Sequence, residues 1–176
     1  MPAFLIPLPD WNGSCPSANA RLLEGRGVDC SPGGPLTFDG ITLQPKDEHH
    51  LTLANSALVA ELQRAVPGDA LAWLQSIWDT GDTRILRTGR PTLLHKRPDR
   101  APHGDGSWSL VEQVIVPGQE AFLRRIERQL GRQLPRPPAH VTTHVAGRAV
   151  GIGLPRKALL RRYIRQLPGG PSSSAG

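Results

Sequence analysis

Hydrophobic positions follow two periods along this chain. Leu58, Val59, Leu62 and Val66 fall at helical spacing behind Ser56, which is suited to cap a helix. Pro67-Gly68 ends that stretch, and Asp69 opens a second helix carrying Leu71, Leu74, Ile77 and Trp78. The strongest amphipathic pattern spans about Gln119 to Gln133. There Phe122, Leu123, Ile126 and Leu130 share one side, and Arg124, Arg125, Arg128 and Arg132 lie largely on the other. Pro155 opens a last helix with Leu159, Leu160, Tyr163, Ile164 and Leu167 toward the core. Alternation and short apolar runs predict strands at Ala3–Leu8, Thr37–Leu43, His50–Leu53, Trp108–Val116 and His140–Ala146. Thr83–Leu86 and Thr92–Leu94, set apart by Gly89-Arg90-Pro91, predict a hairpin. Pro9–Pro35 and Arg97–Gly106 read as loops, with Ser17–Glu24 a short helical segment inside the first.

Strands and helices mixed in this order, with hairpin-like neighbours, predict an α+β fold with antiparallel sheet rather than a doubly wound parallel one. At 176 residues, one domain suffices. The expected boundaries are 1–168 for the domain and 169–176 for a flexible tail. No apolar run approaches the roughly 18 residues of a membrane span. Phe4-Leu5-Ile6 is too short and lacks the basic flank of a signal peptide. The expectation is a cytoplasmic protein. Cys15 and Cys30 have no C-x-x-C neighbour, which favours reduced structural thiols over a zinc or redox motif.

Charge is unevenly spread. Residues 121–176 carry eleven basic side chains and one acid, Glu127, whereas residues 1–120 carry ten basic and fourteen acidic ones. Arg outnumbers Lys by 18 to 3, and Arg suits bidentate phosphate contacts. The basic block favours a polyanionic partner, set against the plainer reading of a solvated basic face. On that reading the arginines of helix 119–133, with Arg156, Arg161, Arg162 and Arg165, extend a substrate track. Trp108 and Tyr163 are candidates to stack a base, worth roughly 1–3 kcal/mol. Trp73 and Trp78 belong to the core.

One echo in the sequence changes the picture. His50-Leu51-Thr52-Leu53 and His140-Val141-Thr142-Thr143 are two copies of H-x-T-x in predicted strands. Composition alone would give roughly 0.3 such triplets. Alternate strand residues share a face, so His50 points with Thr52 and His140 with Thr142, while Leu51 and Val141 turn into packing. Two such strands facing across a cleft place two imidazoles and two hydroxyls around one small anion. One imidazole can accept a proton while the other donates, as cleavage of a phosphate ester requires. His144, two and four residues beyond Thr142 and His140, is expected on the same face. His49 is expected on the opposite one. His140 and His144 have metal-ligand spacing, but on a strand and without an H-E-x-x-H glutamate, so no metal is expected.

These two motifs resemble those of the 2H phosphoesterases, and in particular the branch of RNA 2′,3′-cyclic phosphodiesterases historically called 2′-5′ RNA ligases. The similarity in element order runs from about Ala3 to Leu167. It implies two pseudo-symmetric lobes, each an antiparallel sheet flanked by helices, with the active-site cleft between them. It also implies that His140 activates water, that His50 protonates the leaving 2′ oxygen, and that Thr52 and Thr142 hold the phosphate. The product would be a 2′-phosphate, without metal or other cofactor. Relatives often carry an Arg five positions after the second His. Val145 stands there in this chain, and Arg148 is the candidate replacement. The implied partner is RNA or a nucleotide bearing a cyclic phosphate, bound by a monomer with no role for a membrane. Alternatives are a 2′-5′ RNA ligase or small cyclic-nucleotide phosphoesterase on the same site, and a catalytically silent RNA-binding module.

Overall fold

The residues described by the computed structural model are 2–11, 29–30, 34–38, 40–96, 106–147, 151–154 and 157–165. The expectations for Cys15, Ser17–Glu24, Arg148, Arg156 and the C-terminal tail lie outside them. Among the described residues the strands are β1 (Phe4–Pro7), β2 (Asp29–Cys30), β3 (Leu36–Phe38), β4 (Ile41–Pro45), β5 (His50–Ala54), β6 (Leu86–Lys96), β7 (Ser107–Ile115), β8 (His140–Ala146) and β9 (Ile164–Arg165). The helices are α1 (Ser56–Ala65), α2 (Ala70–Asp79), α3 (Gln119–Leu130) and α4 (Lys157–Tyr163). The fold is therefore α+β, with hydrogen-bonded strands in the order β2-β3-β4-β8-β7-β6-β9. β5 also pairs with β8, and β1 pairs with β5. Every one of these pairings is antiparallel.

Helices α1, α2 and α3 bury their apolar stripes against one face of the sheet. Val59, Leu62, Leu74, Trp78, Phe122, Leu123 and Ile126 form one core with Leu51, Leu53, Val114 and Val141 from the strands. Phe122 anchors this layer, with Phe4 stacked 6.0 Å away and Trp78 edge-on at 5.8 Å. Trp73 is half-buried against it. The helix ends follow local chemistry. Asn55, one residue before the expected cap, accepts from the Leu58 N–H, and Asp69 accepts from that of Ala72. Helix α3 stops at Leu130, short of Gln133, because Gly131 takes the left-handed conformation at φ 65°.

Three expectations are corrected. The hairpin placed at Gly89-Arg90-Pro91 is instead one long strand, β6, whose partner is β7. Between Arg87 and Pro91 the register shifts, and Gly89 at φ 65° absorbs the extra residues as a bulge. The single strand at 37–43 is a hairpin, β3–β4, turning at Gly40 with φ 74°. The last helix ends at Tyr163, and Ile164 and Arg165 form β9 by pairing with Leu94 and Leu93 of β6.

On the second face of the sheet, Ile152 and Leu154 pack with Leu94, Val111 and Tyr163. Ile152 is fixed by its N–H, which donates to the buried Ser109 hydroxyl at 3.0 Å. This cover lies over β6 and β7.

Candidate functional site

The two H-x-T tripeptides come together through one strand pair. Leu51 of β5 pairs with Val141 of β8, and both are buried, at 1% and 0% exposed. Antiparallel register around that pair sets His50 across from Thr142 and Thr52 across from His140. Leu51 and Val141 point into the helix-covered core, so all four polar side chains point to the other face. The imidazoles are then diagonal neighbours, with backbones about 7–8 Å apart. They stand side by side in one sheet, where the sequence pattern suggested strands facing each other across a gap.

Neighbouring elements fix this register. The N–H of Lys46 donates to the Thr143 carbonyl, so β4 and β5 run along the same edge of β8. Strand β1 holds the far side of β5, with Pro7 opposite His50 and Leu5 opposite Thr52. On β7, Gln113 lies opposite His140 and Val111 opposite Thr142. The Gln113 amide donates to the Thr92 hydroxyl at 3.0 Å. Gly151 backs onto Thr142, for a Cβ there would sit 2.6 Å from its Oγ1.

The two imidazoles differ in their surroundings. His140 Nδ1–H donates to the Pro138 carbonyl at 2.8 Å, which leaves Nε2 with the lone pair in the neutral ring. Burial lowers the His140 pKa below its ordinary value; that hydrogen bond opposes the shift, and the charge of His50 adds to it. The His50 pKa is also lowered, first by burial and then by the Lys46 ammonium, while Glu48 raises it. Lys46 was not singled out by the motif, since its influence comes from a turn preceding β5. Gln113 was equally invisible, because only strand register brings it beside His140.

Comparison with protein-family models, curated proteins and solved structures finds no match.

The other candidates separate from this group. Leu110 pairs with His144 but Val111 with Thr142, so β8 carries an extra residue at Thr143. That bulge turns His144 to the core face, away from His140 and Thr142, and corrects the expectation of a shared face. His144 is 2% exposed; its Nε2–H donates to the Gly34 carbonyl at 3.3 Å, and Nδ1 lies 3.1 Å from the Thr143 hydroxyl. His49 sits nearby with its Nε2 buried and without a hydrogen-bond partner among the described residues. Trp108, paired with Ala146 on that same core face, stacks on His95 at 3.8 Å and is not beside the histidine pair. Tyr163 does reach the second face, half-buried in the Ile152 cover. Among the described residues, no group of three or more His, Cys, Asp and Glu side chains is arranged to hold a metal ion. No described helix is long and apolar enough to cross a membrane.

The arginines of α3 do not form a track beside the histidines, because the helix lies on the other side of the sheet. Arg124 pairs with Glu120, Arg132 with Glu61, and Arg136 with both Glu120 and Glu127. Arg136 pulls the Glu127 carboxyl down to about 2. Arg125 donates to the Ile77 carbonyl and the Thr80 hydroxyl. The Arg124 pair lies within α3, Arg125 ties that helix to α2, and Arg132 and Arg136, beyond its end, tie the following segment to α1 and α3.

His144 gives the fold an acid limit. Burial holds its pKa at about 4, below the ordinary 6.5, even though the Gly34 carbonyl opposes the shift. Between these values the unfolded chain binds a proton that the folded chain refuses. The stability is therefore fully present above pH 6.5 and is lost as pH falls toward 4, by up to about 3 kcal/mol. Denaturant titrations across this range are expected to show that decline, and His144→Gln is expected to flatten it.

Proposed function

We propose that this protein is a phosphodiesterase that opens 2′,3′-cyclic phosphates, at an RNA end or on a nucleotide, to a 2′-phosphate without a metal. The observation that carries the reading is the pairing of Leu51 with Val141, which puts two imidazoles and two hydroxyls on one face of neighbouring strands. His140 Nε2 takes the proton of the attacking water, and the water oxygen forms the new bond to phosphorus. A 2′-phosphate product requires the P–O3′ bond to break, so His50 delivers its proton to O3′, not to O2′. The Thr52 and Thr142 hydroxyls donate to the non-bridging oxygens. A net proton passes from His50 to product while His140 gains one, and exchange with solvent restores both rings.

The finer architecture belongs to the same proposal. One lobe holds β1, β4, β5, α1 and α2; the other holds β6, β7, β8 and α3. The β5–β8 seam joins them, and the reacting groups lie along it. The resemblance of both H-x-T-x motifs to the 2H phosphoesterases supports this division.

The test offers an oligonucleotide ending in a 2′,3′-cyclic phosphate, and 2′,3′-cyclic AMP, with EDTA present. A 2′-phosphate product is expected from at least one of them. Activity lost on chelation and restored by one divalent ion would overturn the mechanism. The pH profile adds a second check. The active form needs His140 neutral and His50 protonated, and both rings have lowered pKa values. Both limbs of the kcat/KM bell therefore move to the acid side, with the optimum below pH 6.5. An optimum above pH 7 would contradict these assignments.

A further inference from the structure

Strand β4 ends beside the first histidine motif. Pro45 is opposite His144 of β8, and the next residue, Lys46, donates its N–H to the Thr143 carbonyl at 2.9 Å. Strand β5 then takes over the same edge of β8, with Leu51 opposite Val141 and His50 across from Thr142. Lys46, His50 and Thr52 thus follow one another along a single edge, and residues 47–49 connect the first two. Thr143 and Thr142 are successive residues, about 3.3 Å apart along β8, so Lys46 and His50 are close neighbours in space.

The alternation of β4 turns Lys46 toward the site. Ile41 and Leu43 pack with Leu110 and Trp108 on the core face, Leu43 being 1% exposed. Counting by twos from Leu43 keeps Pro45 on that face and sets Gln44 and Lys46 on the other, which carries His50 and His140. Electrostatics agree. The Lys46 ammonium lowers the His50 pKa, second only to burial, and Glu48 opposes it. It also lowers that of His49, where His50 and Arg87 add to it. The other groups around His50 are Pro7 on β1 and, on β8, Thr142 with His140 diagonally beyond it. Lys46 is half-buried, so its charge is screened less than that of a fully exposed lysine.

A cyclic phosphodiester carries one negative charge, and more builds on its non-bridging oxygens as water adds to phosphorus. The Thr52 and Thr142 hydroxyls are neutral donors. His50 releases its proton to the leaving oxygen in the same event, so its positive charge fades as the reaction proceeds. An ammonium on a flexible four-carbon stem keeps its charge throughout. Fixed charge aimed at developing charge in a partly desolvated site is worth far more than in water. We infer that Lys46 is a further catalytic residue, whose ammonium donates to a non-bridging phosphate oxygen and offsets the charge of the transition state. This inference rests on the phosphodiesterase reading of the histidine pair. No proton leaves the ammonium: the water oxygen still bonds to phosphorus, and P–O3′ is still the bond that breaks.

The experiment compares wild type with Lys46→Met, Lys46→Arg and Lys96→Met, the last removing one exposed positive charge at the far end of β6. The substrate is whichever of the two cyclic phosphates wild type turns over faster. Calorimetry with adenosine 2′-phosphate gives binding without turnover, NMR follows titration of the His50 ring, and circular dichroism confirms the fold. The backbone bond to Thr143 survives any of these side chains at position 46. Lys46→Met is expected to lose about 10²–10³-fold in kcat, the usual cost of removing one such donor. It is expected to bind adenosine 2′-phosphate about tenfold more weakly, as a lost hydrogen bond to a charged acceptor would give. Its His50 ring is expected to titrate at higher pH than in wild type. Lys46→Arg keeps the charge and is expected to stay within about tenfold of wild type in kcat, with His50 little changed. Lys96→Met is expected to match wild type. Near-normal kcat in folded Lys46→Met, an unmoved His50 titration, or an equal loss in Lys96→Met overturns the role of Lys46 and leaves the histidine pair standing. Weaker product binding with kcat retained makes Lys46 a ground-state contact and also overturns it. No turnover of either cyclic phosphate by wild type removes the phosphodiesterase reading and this inference together.

Discussion

His50→Ala and His140→Ala are each expected to lower turnover of the best cyclic phosphate by about 10²–10⁴-fold, the usual contribution of a positioned acid or base. On the proposed mechanism the two groups act in one event, on opposite sides of the same phosphorus. Removing either leaves the other with little to assist, so the double variant should be scarcely slower than the poorer single one. Structural loss is not the expected cause. Both rings are only half-buried on the less covered face, and neither side chain belongs to the helix-packed core. His140 gives up one hydrogen bond, from Nδ1 to the Pro138 carbonyl, and this backbone segment is otherwise held by the Val114 N–H bonded to the Ala139 carbonyl. Circular dichroism and melting should therefore show folded variants. A folded His50→Ala or His140→Ala protein with near-normal turnover would remove the acid–base pair and bring forward the silent RNA-binding alternative.

The sequence made some of this arrangement legible, for reasons that particular residues explain. Leu51 and Val141 are apolar centres of polar triplets, and period-two alternation correctly turns both inward. Helices α1, α2 and α3 announce themselves by apolar spacing and, for α2, by the Asp69 cap. What failed was whatever depended on a break in the period. Counting by twos from His140 leads to His144, but the extra residue at Thr143 reverses the face, and nothing in H-V-T-T-H signals a bulge. Gly89-Arg90-Pro91 has the residues of a turn, yet a strand can also absorb them as a bulge when its partner, β7, is long enough to bridge it. Within the basic excess of residues 121–176, Arg132 and Arg136 find Glu61, Glu120 and Glu127 in space. Charge counts are blind to such pairings, two of which join residues 16 or more positions apart.

Gly151 tests the site from the side that no motif includes. A Cβ added there would lie 2.6 Å from Thr142 Oγ1, 2.9 Å from its Cγ2 and 3.2 Å from its Cβ. Real side chains do not tolerate the first two distances, so Gly151→Ala must push Thr142 or the backbone of 151–154 aside. That backbone is anchored by Ile152, which is buried with Leu94 and Val111 and bonded to Ser109. The threonine is the softer element, and its hydroxyl is expected to leave the position from which, on the proposed mechanism, it holds the phosphate. A hydrogen bond to a charged acceptor is worth about 1.5–3 kcal/mol, so Thr142→Ala should slow kcat/KM by about 10–150-fold, and Gly151→Ala should approach that loss without touching either histidine. Thr142→Ala removes Oγ1 and Cγ2, the atoms in conflict. Gly151→Ala in the Thr142→Ala background should therefore cost little more, and the two losses should fail to add. Kinetics on the four-member cycle, with melting temperatures alongside, check this directly. Additive losses would mean that Gly151 acts on something other than Thr142, and full activity in folded Gly151→Ala would place the phosphate away from the Thr142 hydroxyl.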